Sequence, residues 1–151
     1  MTDAERYEII FYLGQTKHID KEINALSSEL KKLESNKFSL GGNVISEKVQ
    51  SSTSGDAPFT HIIEAIADRE NEIKGKIADK TRVIISIGKL IDKIENPQIE
   101  AIMRGLYTLC HSPYIVAEEN HCSIQTVYRL REQGLEELLP HFRKLVINVN
   151  E

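Results

Sequence analysis

Cysteine and histidine stand side by side at two places in the chain, Cys110-His111 and His121-Cys122. Thiolates and imidazoles are ligands that zinc prefers, so this group is the first candidate for chemistry. The spacing fits no zinc-finger pattern, and two adjacent residues rarely both bind one ion. We therefore expect a small buried cysteine and surface histidines, with no metal site and no other cofactor.

The other histidines are not arranged for catalysis. His18, His61 and His141 have no carboxylate, serine or cysteine companion at a meaningful spacing. The sequence also contains no glycine-rich phosphate loop, nucleophile elbow or metal-hydrolase motif. We expect a protein that is not an enzyme and that has no small-molecule substrate.

Helix-capping residues divide the C-terminal third into three predicted helices. Asn96-Pro97 begins the first, and Ser112-Pro113 begins the second, which runs to about Asn120. Ser123 caps the third, which runs from Ile124 to about Leu139, where Pro140 is expected to end it. Its predicted inner face is Val127, Leu130, Leu135 and Leu138. Two short helices that meet at the small Ala117 across a tight turn are typical of a helix-turn-helix.

Two long helices are predicted before this region. The first runs from about Asp3 to Asn36, and the second from about Phe59 to Glu95. The first has a heptad seam formed by Ile19, Ile23, Leu26, Leu30 and Leu33. Residues 37–58 lack a helical period and contain Gly41-Gly42 and a serine-rich string, which predicts a flexible linker. We therefore expect residues 1–95 to form a coiled-coil-like hairpin that dimerises, or a monomeric hairpin that offers its spare face to a partner.

Composition limits where the protein acts. The 151 residues contain two cysteines and carry a net charge of −4, and no run of 18 apolar residues occurs. A membrane-spanning helix needs such a run, so no membrane partner is expected. The N-terminal MTDAERYE lacks the apolar stretch of a signal peptide. These features predict a cytoplasmic protein.

The capped region resembles a known group of transcription proteins. The resemblance rests on residues that match in type and order: Asn96-Pro97, Tyr107, Ser112, Ala117-Glu118-Glu119, Ser123, Thr126 through Leu130, and Leu135. They resemble sigma-70 region 4 and, more closely, the phage-encoded sigma-like proteins related to ArpU/RinA-type late transcription regulators. In that group a long helical N-terminal part and a Ser/Gly-rich linker also precede the domain. The resemblance implies an all-α protein with a helix-turn-helix domain over residues 96–151, which regulates phage transcription in the host cytoplasm.

The resemblance also implies which residues contact DNA. They are Ser112, Ser123, Ile124, Gln125, Thr126, Tyr128, Arg129 and Arg131, with Glu132 further along the same helix. Gln125 is suited to adenine, and Arg129 to guanine or a phosphate. Thr126, Tyr128 and the helix that begins at Ser112 would contact phosphates. The chain departs from the family at Asn120, at His121-Cys122 in place of a glycine-containing turn, and at the apolar Ile124.

The charge of this domain leaves several functions open. From Pro97 onwards the chain has five basic and seven acidic residues, a net charge of −2. Because DNA affinity depends largely on phosphate contacts, such a domain binds DNA weakly alone, acts as a dimer, or binds protein instead. Region 4 of sigma factors also docks on the flap of RNA polymerase, so the resemblance implies that partner too. The alternatives to a DNA-binding regulator are a protein-interaction module and a small phage packaging or structural component.

Overall fold

The computed structural model describes residues 1–46 and 56–150, and over these residues it is all-helical. The helices run as follows: α1 Asp3–Leu13, α2 Gln15–Ser46, α3 Asp56–Ile91, α4 Pro97–Tyr107, α5 Pro113–Glu119 and α6 Ile124–Val149. The predicted fold class is therefore confirmed as all-α. Across the described ranges, no helix combines the length and the apolar character needed to cross a bilayer.

The single helix predicted from Asp3 to Asn36 is in fact two helices that meet at Gly14. The first begins with a capping box, in which the Thr2 N–H donates to Glu5 Oε2 at 2.8 Å and the Glu5 N–H donates to Thr2 Oγ1 at 3.2 Å. Such reciprocal bonds satisfy N–H groups that a helix start leaves free. The prediction missed this break because the apolar residues on both sides of Gly14 keep a helical spacing.

The segment predicted as a flexible linker, residues 37–58, is helical at both ends. The second helix continues to Ser46, and the third begins at Asp56 with Pro58 in its first turn, where proline needs no N–H partner. Extending an existing helix costs much less than starting one, so these ends need no apolar period of their own. Residues 47–55 lie outside the described residues, and their flexibility stays a prediction.

The chain forms two compact units that differ from the predicted division at residue 96. One unit contains residues 1–18 and 80–151, and the other contains residues 19–79. The predicted boundary falls inside the first unit because its core draws on helices from both sides of that boundary. Ile9 and Leu13 of α1, and Ile87 and Ile91 of α3, are fully buried in the same cluster as the helices after Asn96. Burying each such side chain contributes about 1.5–3 kcal/mol.

Helix α6 is the element against which α1, α4 and α5 pack in the first unit. The predicted inner-face residues are all buried: Val127, Leu130, Leu135 and Leu138. The prediction that Pro140 ends this helix is wrong, since α6 continues to Val149. Pro140 lies on the exposed side, while Leu139 and Phe142 are buried on either side of it. The packing of Leu139 and Phe142 in the core stabilises the helix beyond Pro140, although the proline has no backbone N–H to donate.

The second unit contains α2 from Ile19 onwards and α3 as far as Asp79. Two ion pairs join them, Arg69 to Glu29 at 3.1 Å and Lys76 to Glu22 at 2.8 Å. Residue numbers rise on one helix as they fall on the other, as in an antiparallel pair. The seam residues Ile23, Leu26, Leu30 and Leu33 are only half-buried. This pair of helices therefore leaves much of its apolar surface accessible.

A salt bridge and an aromatic contact join α1 to α6 within the first unit. Arg143 hydrogen-bonds and ion-pairs with Glu5, and the Tyr12 ring lies 5.3 Å from the Phe142 ring, centroid to centroid. The pKa of Glu5 falls from 4.5 to about 2, because the Thr2 N–H and the Arg143 guanidinium hydrogen-bond to its charged form. The carboxylate of Glu5 thus joins the cap of α1 to α6.

The close approach of α4 to α6 at Gly134 leaves little space for an added side chain. A Cβ at this position would lie 2.8 Å from Met103 Cγ and 3.1 Å from Ile99 Cγ2, whereas a Cβ at Gly75 would meet no atom within 4 Å. We expect Gly134→Ala to lower the free energy of unfolding by about 1–3 kcal/mol through overpacking. Gly75→Ala should raise it by about 0.5–1 kcal/mol, because alanine is the better helix former. Urea denaturation of both variants measures the difference, and equal stabilities would contradict the close packing.

The lowered pKa of Glu5 predicts a pH dependence. Because the folded-state pKa lies below the unfolded value of 4.5, the contribution of Glu5 to stability is present above pH 4.5 and is lost as the pH falls towards 2. We expect Glu5→Gln to destabilise the protein at neutral pH and to flatten its stability over this acid range. The matched control is Glu8→Gln, which removes the same charge from an exposed position of α1. Thermal melts from pH 2 to 7 that coincide for the two variants would rule out this role.

Candidate nucleic-acid interface

The helix starts predicted at Pro97, Pro113 and Ile124 are confirmed, and each has the predicted cap. Asn96 Oδ1 accepts from the Gln98 N–H at 2.9 Å. Ser112 Oγ accepts from the Ile115 N–H at 3.3 Å, and Ser123 Oγ accepts from the Thr126 N–H at 3.2 Å. These bonds fix where α4, α5 and α6 begin, and so fix which residues lie in the first turns of α6.

The turn between α5 and α6 is formed without glycine. His121 has φ 51°, in the left-handed region that glycine adopts most easily. The Cys122 N–H donates to the Ala117 carbonyl at 3.0 Å, and the His121 N–H donates to the Glu118 carbonyl at 3.2 Å. This is the Schellman arrangement that ends many helices. The pair His121-Cys122 thus forms the tight turn that the sequence predicted.

A glycine brings α4 and α5 together. A Cβ at Gly105 would lie 2.9 Å from Val116 Cγ2, so the backbone of α4 lies close to the valine side chain. Ala117, predicted to mark the close approach of α5 to α6, is buried as well. Gly105 was not found from the sequence, although a glycine inside an otherwise regular amphipathic helix is a signal for such a contact.

Three of the predicted site residues share one exposed side of α6. Gln125, Tyr128 and Arg129 are all exposed, and their spacing of three and four residues places them on one face. Arg129 has no ion pair with any residue in the described ranges, so its guanidinium is available to a ligand. We call Gln125, Tyr128 and Arg129 the outward face of α6. Ile124, one residue before this face, is half-buried.

The predicted hydroxyl contacts are engaged in capping. Thr126 is half-buried, and its Oγ1 lies 3.0 Å from Ser123 Oγ. Ser112 and Ser123 both use their hydroxyl oxygens as acceptors for backbone N–H groups. Ser112 and Ser123 thus position the starts of α5 and α6. Their hydroxyl hydrogens, and the N–H groups in the first turn that the caps leave unpaired, could still donate to a phosphate.

Arg131 lies away from the outward face. Its side chain is 25% exposed, and its Nη2 lies 3.8 Å from Glu132 Oε1. It also lies close enough to lower the pKa of Tyr107, although burial of that ring raises the same pKa more. Two residues beyond Arg129, the helix has turned by about 200°, which explains why Arg131 is directed towards α4. The structure therefore does not place Arg131 with Gln125 and Arg129.

An arginine from α1 reaches this region and was not found from the sequence. Arg6 donates from Nη2 to Glu132 Oε1 at 2.6 Å and from Nε to Glu132 Oε2 at 3.1 Å. These hydrogen bonds lower the pKa of Glu132 and raise that of Arg6. The pair thus joins α1 to the helical turn that follows the outward face. No local signal could have shown a contact across 126 positions of sequence.

The charge around the outward face is mixed. Glu118 and Glu119 are exposed on α5, and His111 Nδ1 lies 3.2 Å from Glu119 Oε2. Arg104 pairs with Glu100 and Asp92, so its charge is already balanced. Arg129 therefore stands as the basic group of the outward face, with acidic residues on the neighbouring helix.

The pairs Cys110-His111 and His121-Cys122 lie in the two turns, between α4 and α5 and between α5 and α6. Cys110 and Cys122 are half-buried cysteines that are not in a disulfide bond, and Cys110 has φ 55° where the chain leaves α4. Over the described ranges, no three histidine, cysteine, aspartate or glutamate side chains lie close enough together to hold a metal ion.

Comparison of the chain with family models, with curated proteins and with solved structures gave no match.

Proposed function

We propose that α5 and α6 form the helix-turn-helix of a phage transcription regulator of the sigma region 4 type, which binds promoter DNA with α6 in the major groove. The observation that carries the proposal is the outward face of α6, where Gln125, Tyr128 and Arg129 are exposed together directly after a tight turn. A recognition helix contacts base edges with its N-terminal residues, and this face lies in the first two turns of α6.

The chemistry of the outward face suits base-edge contacts. The Gln125 side-chain amide can donate a hydrogen bond from its N–H to N7 of adenine and accept one at its oxygen from the N6 amino group. This pair of bonds distinguishes adenine from the other bases. Arg129 can donate two hydrogen bonds to O6 and N7 of guanine. The Tyr128 hydroxyl can donate to a phosphate, and the partly exposed Ile124 can contact a thymine methyl.

The low positive charge near the outward face predicts weak binding by one domain. Each phosphate that a protein neutralises makes the slope of log affinity against log salt concentration about 0.9 more negative. With Arg129 as the basic residue of the face, the slope for one domain should be small. Two domains on one DNA would add their contacts and raise the affinity, since the second binds as an intramolecular event.

Residues 19–79 supply a surface for this pairing, and we propose that they dimerise. Their seam residues are half-buried, and Ile63 and Ile77 are exposed on α3. These two isoleucines are 14 residues apart, two heptads, so they lie on one side of the helix. A second copy would cover these side chains and complete a four-helix bundle.

A second candidate is a module that docks on RNA polymerase or another regulator without contacting DNA. It is favoured by one observation, the exposed Glu118 and Glu119 on α5, which would repel the DNA backbone if they faced it. The two candidates differ in whether the outward face is needed for sequence-specific DNA binding.

Selection of DNA by the full-length protein tests the first candidate. We expect repeated selection from a random 30-base-pair duplex pool at low salt to enrich one motif. Arg129→Ala should cost about 1–3 kcal/mol, roughly 5- to 150-fold in affinity, and relax the preference at one base pair. Lys31→Ala, an exposed change on α2, is the matched control and should leave the affinity unchanged. No enrichment would exclude the DNA-binding function and favour the docking module, and equal loss in both variants would exclude the outward face as the DNA-binding site.

Sedimentation velocity tests the dimer. Ile63→Glu places a charge on the exposed side of α3, so we expect it to shift the protein from dimer to monomer. Asn71→Glu adds the same charge to the same helix about 80° away from Ile63, and should leave the dimer intact. A monomeric protein at micromolar concentration, or equal effects of the two changes, would count against pairing through this surface.

A further inference from the structure

Two grooves lie side by side along the C-terminal half of α6, on residues that the proposed DNA contact does not use. The first is lined mainly by apolar side chains of α1 and α6: Phe11, Tyr12, Phe142, Leu145, Val146 and Val149. The second is lined by Lys89, Leu90, Lys93, His141, Lys144 and Leu145. Ser86 and Leu145 border both grooves, so the two form one continuous surface. We call it the composite groove.

The apolar part of the composite groove is large, and contacts between side chains form its floor. It encloses about 540 Å³. The Tyr12 hydroxyl lies 2.7 Å from Ser86 Oγ, and the Tyr12 ring packs on Phe142, so its floor is fixed from two sides. Phe11 is 65% exposed and Val149 is 84% exposed. Because a preformed apolar site loses little entropy on binding, such a groove favours an apolar ligand.

The basic part carries a concentration of positive charge in an acidic protein. Its space is about 450 Å³, and its lining includes three lysines and a histidine but no carboxylate. Lys89, Lys93 and Lys144 are exposed, and no ion pair joins them to a carboxylate within the described ranges. The whole chain has a net charge of −4, so this local excess is not a general property of the surface. It creates an attractive potential for a negatively charged partner.

We propose that the composite groove binds an amphipathic helical segment of a partner protein, with apolar residues at i, i+3 and i+4 and carboxylates along one flank. The apolar residues would fill the space beside Phe11 and Val149, and the carboxylates would pair with Lys89, Lys93 and Lys144. A helix laid in a groove with such anchors is a common mode of peptide recognition.

Nucleic acid fits this surface less well. Protein–DNA interfaces are more polar than protein–protein interfaces. A charged phosphate backbone would gain no favourable contact in an apolar groove of this size. Leu90 and Leu145 also line the basic part itself, so even there the lysines stand beside apolar surface. The charge complementarity and the apolar lining together indicate an acidic, partly apolar protein segment. The proposal does not depend on DNA binding by the outward face.

A direct titration tests the composite groove in the full-length chain. The probe is a fluorescein-labelled 18-residue helical peptide with leucine at every third or fourth position, glutamate on one flank and alanine elsewhere. Fluorescence anisotropy follows its binding at about 0.15 M salt, where exposed charges are partly screened. Two competition experiments then add either poly-glutamate with the same net charge as the peptide or a 20-base-pair DNA duplex of random sequence. We expect saturable binding of the peptide that neither competitor displaces at equal charge concentration.

Two variant pairs separate the groove from general electrostatics. Lys89→Glu/Lys93→Glu should weaken peptide binding about tenfold or more, because it turns attraction into repulsion at the groove. Lys31→Glu/Lys32→Glu makes the same change in net charge on exposed positions of α2, and should change the affinity less than twofold. Phe11→Ala should also weaken binding about tenfold by removing an apolar anchor. Its control, Phe38→Ala, removes a phenylalanine ring from α2 that is even more exposed, at 84%.

The outcomes are distinguishable. Equal effects of either variant and its control, or displacement of the peptide by the duplex or by poly-glutamate, would overturn the proposal and leave a surface that attracts polyanions in general. All the substituted side chains are exposed, and thermal melts check that each variant is folded. Arg129→Ala should bind the peptide as the unsubstituted chain does, so failure of the DNA proposal would leave this test intact.

Discussion

The close packing of α4 on α6 at Gly134 constrains the rest of the first unit. With no side chain at this position, Met103 and Ile99 reach the backbone of α6, and the apolar faces of both helices meet in one core. Helix α5 contacts both α4 and α6, and its position is restricted because Val116 packs on Gly105 at the same time. The direction of the outward face therefore depends on Gly105 and Gly134, which are both buried in the core.

Helix α1 completes this arrangement from the other end of the chain. Its apolar residues Ile9 and Leu13 enter the core, and its polar residues Glu5 and Arg6 pair with α6. A three-helix domain of about 50 residues has little core of its own, so an added helix and the last turns of α3 contribute useful burial. This explains why the first unit combines both ends of the sequence with the end of α3.

Features determined by neighbouring residues could be predicted from the sequence. The caps at Asn96, Ser112 and Ser123 act within three residues, so the helix starts followed from residue type alone. The inner face of α6 followed from its helical period. Features determined by distant contacts could not be predicted, and the Arg6–Glu132 pair and the extension of α6 past Pro140 are of this kind. Arg131 was misplaced for a related reason, since a resemblance transfers positions in a motif but not the direction in which each side chain packs.

The length of α6 separates its two surfaces. From Gln125 to Leu145 the helix spans 20 residues, about 30 Å at 1.5 Å per residue. The major groove is about 12 Å wide and 8.5 Å deep, so a helix that inserts its first two turns leaves its last turns outside. A segment bound beside Leu145 would then lie about 20 Å from the groove edge by the same helical rise, beyond one Debye length at physiological salt. The acidic flank of such a segment would therefore add little repulsion to the DNA, and the two proposed ligands would not exclude each other on α6.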